Sequence, residues 1–124
     1  MGFSSFFGLG GLILQPMRTL KFIVNGQTIG LDPKCSFKGL VPGTEGYLEA
    51  QFSFSKEWEN CLKVVAFFSN LGVEYEPQVL NSQNVCKIPH EALKNRIFKV
   101  QVIGKRKEYT LRTNRLSVRQ GGDD

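Results

Sequence analysis

Residues 18–31 read RTLKFIVNGQTIGL, two short runs flanking Asn25-Gly26, the first of them alternating apolar and polar positions. Asn-Gly accepts the positive φ angles of a type I′ turn, whose twist matches that of paired strands. The stretch therefore predicts a β-hairpin with Leu20, Phe22 and Val24 on one face. A hairpin alone buries too little surface to persist in water, so the rest of the chain must supply a sheet for it to join.

That sheet is written in the same two-residue period. In GYLEAQFSF (46–54), Leu48, Ala50, Phe52 and Phe54 fall on one face and Tyr47, Glu49, Gln51 and Ser53 on the other. LKVVAFF (62–68), apolar apart from Lys63, suits a strand buried on both faces. VEYEPQVL (73–80) predicts a further alternating strand, with Pro77 marking an edge or a bulge. Residues 84–88 predict a short strand, and PHEAL (89–93) one helical turn with Pro89 in its first helical position. IFKVQVIG (97–104) places Phe98, Val100 and Val102 on one face, and EYTLRTNRLSV (108–118) reads as a last strand after a basic turn. Residues 32–46 are rich in turn formers and predict a long connection with at most a short strand near Phe37. Seven or eight short strands with one helical turn fit an all-β antiparallel sandwich or small barrel.

At 124 residues the chain fits one domain, and 41% apolar against 22% charged residues supports a packed core. Its organisation reads as an apolar extension over 1–16, a β-sandwich domain over 17–120 and a flexible tail over 121–124. The first segment, MGFSSFFGLGGLILQP, is too short and too glycine-broken to span a bilayer, so no membrane span is expected. It is either an upstream extension ahead of Met17 or an anchoring peptide whose Phe3, Phe6, Phe7, Leu12 and Ile13 contact a partner.

The net charge of +5 is concentrated late, at Lys105-Arg106-Lys107 and at Arg112, Arg115 and Arg119. Nucleic-acid binding is not favoured, because no aromatic ladder or RNA-binding signature accompanies these cations. Lys105, Arg106 and Lys107 are instead candidate partner contacts, and at least some of the later arginines should share one strand face.

Candidate chemistry is sparse. Cys35, Cys61 and Cys86 form no CxxC pair and His90 is the single histidine, which does not make a zinc site. A Cys35–Cys86 disulfide around Trp58 is a weak immunoglobulin-type pattern, since it leaves Cys61 over; reduced, mostly buried thiols are expected. His90-Glu91 lacks a nucleophile tied to it, the Asp123-Asp124 pair lies in the tail, and Gly39, Gly43 and Gly46 are turn glycines without a GK[ST] step. No catalytic, metal-binding or cofactor-binding residue is assigned, and an enzyme is the least favoured class. Trp58 between Glu57 and Glu59 admits a sugar-binding reading, but a sole tryptophan beside an FSF strand reads better as core, with Phe52, Phe54, Phe67, Phe98 and Val100 as further core anchors.

The order of YLEAQFSFSKEW (47–58), KVVAFF (63–68), VCKIPHEAL (85–93), FKVQVIG (98–104) and TLRTNRLSV (110–118) resembles an immunoglobulin-like β-sandwich module of virion proteins in phages and prophages of Gram-positive hosts. The resemblance covers roughly residues 18–120 and is carried by Trp58, Cys86, Pro89, Glu91, Leu93, Gly104, Thr113 and Asn114. It implies a structural role in the virion, as an adaptor or decoration module attached to capsid, baseplate or fibre subunits, made in the host cytoplasm and assembled as a homo-oligomer. This chain departs from the module in stopping at GGDD and in carrying Asn60-Cys61 where Asp-Gly or Asn-Gly is frequent. Two other classes remain open: a module binding host-surface glycans through Tyr47, Tyr75 or Tyr109, and a small phage-encoded inhibitor that binds nucleic acid or a host protein through the charge from Lys105 to Arg119.

Overall fold

The structure is a computed structural model and describes residues 16–121. The candidate contacts Phe3, Phe6, Phe7, Leu12 and Ile13 lie outside the described residues, as do residues 122–124 of the tail.

In the first hairpin, alternation turns into sheet. Strands β1 (Arg18–Asn25) and β2 (Thr28–Leu31) form the hairpin, with Leu20, Phe22, Val24 and Ile29 buried and the residues between them turned outward. Asn25 pairs directly with Thr28, so the turn is Gly26-Gln27, one residue later than Asn25-Gly26. Gly26 has φ +60 and Gln27 is not among the residues of positive φ, which is the pattern of a type II′ turn rather than type I′.

β3 (Leu48–Phe54) then lies on the other side of β1 and runs parallel to it, from Arg18↔Leu48 to Val24↔Phe54. This one parallel pair departs from the expected antiparallel pattern. Its cause is the connection 32–47, which carries the chain back to the end where β1 began; a parallel return requires about a dozen residues or more. The connection contains no strand near Phe37, whose ring instead meets Phe22 edge-on at 5.6 Å.

The remaining elements are β4 (Leu62–Ser69), β5 (Gln78–Val79), β6 (Val85–Lys87), the helical turn α1 (His90–Leu93), β7 (Ile97–Lys105), β8 (Thr110–Arg112) and β9 (Leu116–Arg119). They complete two sheets, one ordered β2-β1-β3-β6 and the other β5-β4-β7-β8, with β9 following β8 along the same side of β7. The chain is thus an all-β sandwich whose other strand pairs are antiparallel. Its core joins Leu20, Phe22, Ala50 and Phe52 from the first sheet to Val65, Phe67, Phe98, Val100, Val102 and Val118 from the second.

Three local readings are corrected. The 73–80 run is a strand only at Gln78–Val79 and an isolated bridge at Glu74, because Pro77 has no N–H to continue the ladder along β4. Pro89, at ψ 135, precedes the helical turn as its cap rather than forming its first residue. The 108–118 run is two strands, not one. Ile103 pairs with Arg112 but Val100 pairs with Leu116, so three residues face two in a bulge at 113–115.

The bulge is held by its own side chains. Thr113 Oγ1 accepts from the Val102 N–H at 3.0 Å, and Gln101 Nε2 donates to the Thr113 carbonyl at 2.7 Å. Asn114 reaches the opposite sheet: its N–H donates to Gln27 O at 3.2 Å and its Oδ1 accepts from the Ile29 N–H at 2.9 Å. Thr113-Asn114 therefore latches the second sheet to the hairpin of the first.

The two ends of the sandwich are closed differently. At one, Leu40 of the long connection is buried, Gly43 N–H donates to Leu93 O at 2.7 Å and Gly121 N–H to Leu40 O at 2.7 Å. At the other, a 3-10 turn at Lys56–Trp58 drops the Trp58 ring into the core.

Candidate interaction surface

Trp58 is fully buried, tilted against Phe54 at 5.3 Å, with Nε1 donating to Gly26 O at 2.8 Å. Its ring occupies the space a side chain at Gly104 would need: a Cβ there would come within 2.6 Å of Trp58 Cζ3. Glu57 is exposed on the 3-10 turn and Glu59 at its C-terminal cap, while the indole is buried, so the carboxylates and the indole form no common sugar-binding face. A hydrogen bond from Ser55 and one from its own backbone hold the Glu57 carboxyl below its ordinary pKa. Phe52, Phe67, Phe98 and Val100 lie in the core with Trp58, and Phe54 is half-buried against it.

The thiols are free: Cys61 and Cys86 buried, Cys35 half-buried. Burial, with the nearby Glu49 carboxylate adding to it, pushes the Cys86 thiol up to about 12, so it stays protonated and unreactive at neutral pH. Among the described residues no group of three or more His, Cys, Asp or Glu side chains stands together to hold a metal ion. His90 Nε2 lies 3.6 Å from Glu91 Oε2, both half exposed, on the rim of an open groove of about 350 Å³ whose lining includes Leu48, Glu76, Lys87, Ile88 and Pro89. No hydroxyl or thiol side chain lines that groove.

The exposed tyrosines are not brought together. Tyr47 precedes β3 at one end of the sandwich, whereas Tyr109 lies at the other end, donating to Glu57 O at 2.8 Å and stacking under Arg106 at 5.1 Å. Tyr75 is half-buried against the core, its hydroxyl accepting from Asn95 at 3.0 Å. Within the basic turn, Arg106 is engaged, with Glu108 at 3.6 Å and Glu59 O at 3.4 Å, while Lys105 and Lys107 are exposed.

What the fold does assemble is a polarised second sheet. Phe98, Val100 and Val102 point inward, so Ile97, Lys99, Gln101, Ile103 and Lys105 of β7 point outward, and register carries that face across the sheet. One outward row runs Val79–Val64–Ile103–Arg112, flanked by Leu62–Lys105–Thr110. Leu62 is 57% and Val79 62% exposed. Toward the β8–β9 edge, Lys99 pairs with Ser117 and Ile97 with Arg119. Arg115 lies over the Phe68 ring at 3.8 Å, which is how the 62–68 run keeps Phe68 from water on its outer side. Lys99, Lys105, Arg112, Arg115 and Arg119 form no ion pair among the described residues.

The opposite edge has the reverse character. Between Asn70 and Cys86 there is no lysine or arginine, while Glu74 and Glu76 are exposed beside Leu71 (92%), Val73 (60%) and Val79. The sequence signal for this polarity is the segregation itself: residues 109–122 hold three arginines and no acid, residues 70–86 two glutamates and no lysine or arginine. Only the strand order shows that these stretches are the two edges of one sheet. The chain matches no protein-family model, no curated protein and no solved structure.

Proposed function

We propose that this protein is a non-enzymatic β-sandwich interaction module, a bacteriophage virion structural protein that attaches through its second sheet as an adaptor or decoration on capsid, baseplate or fibre subunits. The observation that carries the binding role is the outer face of that sheet, where Val64, Val79 and Ile103 form an apolar row flanked by Leu62, beside five cations in no ion pair among the described residues. A sandwich that needed only to fold would put polar residues there, because an antiparallel sheet normally turns one solvated face outward.

The virion setting rests on the resemblance, and the residues carrying it do structural work. Trp58 packs on Gly104, Thr113-Asn114 latches the sheets, and Leu93 and Cys86 are buried. A motif of this kind specifies a scaffold, and the partner is then chosen by the surface.

The test is to trace the tagged chain through gradient-purified particles of the phage or induced prophage encoding it. Wild-type protein is expected to travel with particles, and a Leu62→Asp, Arg112→Glu variant to remain in the unassembled fraction. Both changes are at exposed positions, so circular dichroism should show the variant folded. A wild-type chain missing from particles would sink the virion reading.

A further inference from the structure

We infer that the second sheet is built for head-to-tail self-association, the basic β8–β9 edge of one copy receiving the acidic 70–79 edge of the next. The inference rests on the interaction-module reading and adds to it the partner and the geometry.

Three observations lead there. The two edges of one sheet carry opposite charge: Arg112, Arg115 and Arg119 with Lys99 on one side, Glu74 and Glu76 on the other. The acidic edge also exposes Leu71, Val73 and Val79, apolar side chains that the aliphatic stems of arginines cover well. None of these cations is in an ion pair among the described residues, and of them Arg115 lies over the Phe68 ring at 3.8 Å. The other charged groups near the acidic edge are Glu91, 3.6 Å from His90, Lys87 across the groove, and Arg96, which lies beside Leu71 and donates to Gly121 O at 3.3 Å.

Symmetry then selects the mode. Stacking two outer faces would set five cations against the same five, with Glu74, bridged to Phe68, as the carboxylate that register places on that face among the described residues. Like charges so placed repel. Joining unlike edges removes the conflict and leaves each copy with one free basic and one free acidic edge, the arrangement that produces rings or open chains. The contact is made by side chains and not by adding strands, because Pro77 and the two-residue β5 interrupt the ladder on the acidic side.

The experiment is sedimentation of the full chain at low and high ionic strength, for wild type, for Arg112→Glu/Arg119→Glu and for Glu74→Arg/Glu76→Arg. Wild type is expected to associate at low salt and dissociate at high salt, since exposed pairs are screened. Each charge variant alone is expected to be monomeric, and an equimolar mixture of the two to associate again, because both unlike-edge contacts are then restored. A wild type that is monomeric throughout, or oligomers that survive salt and both variants, overturns the head-to-tail contact. If such a chain still enters particles, the interaction-module reading stands while this inference fails; association in solution by a chain missing from particles has the reverse meaning.

Discussion

The corner around Trp58 and the edge around Leu71 are both rich in apolar residues, yet one encloses its large side chain completely and the other leaves its own in water. Trp58 is at 0% and Leu71 at 92% exposure. The difference lies in what faces each. Trp58 meets a glycine, a neighbouring aromatic ring and a backbone carbonyl, each supplied by a different strand or turn. Leu71 and Val73 stand on a turn beyond the end of β4, where the sheet has no further strand to cover them. Hydrophobicity drives burial only where a partner surface arrives, and a turn at a sheet edge waits for one from outside.

The sharpest test of that contrast is Trp58→Ala, expected to destabilise by about 3–5 kcal/mol through lost burial and the cavity left behind. Chemical denaturation measures it, and a loss below roughly 1 kcal/mol would mean that the corner is not an anchor. A step smaller is Gly104→Ala. Its Cβ would meet the indole at 2.6 Å, so overpacking should cost about 1–3 kcal/mol. An unchanged denaturation midpoint would show that the ring has room to shift. The smallest effect belongs to the edge: Leu71→Ser with Val73→Ser should alter stability by no more than about 0.5 kcal/mol, while weakening association in the sedimentation experiment. A large stability loss there would erase the contrast.

The strands were readable because alternation and turn chemistry act locally. Leu20, Phe22 and Val24, or Phe98, Val100 and Val102, go inward for the same reason that the residues between them go outward. The helical turn at His90–Leu93 was legible through Pro89, although as its cap. Breaks in the pattern were harder. Nothing in TLRTNRLSV announces a bulge, because Thr113 fits a strand by propensity and only Val102 and the hairpin across the core give its side chain and that of Asn114 something to hold. The parallel β1–β3 pair was hidden for a similar reason: where residues 32–47 travel depends on what they dock against, Leu93 and Gly121 among them. Of the basic turn, Arg106 proved tied to Glu59, Glu108 and Tyr109, contacts made by a segment nearly fifty positions away as well as by neighbours.

From its sequence alone, this protein reads as all-β, with a single core and a tryptophan anchor, because side-chain periodicity and residue chemistry are properties of short stretches. Tertiary structure alone decided that two stretches of opposite charge, separated by β6, α1 and β7 in the chain, become the two edges of one sheet. Charge is written residue by residue, but a surface exists only once strand order has chosen which residues stand side by side.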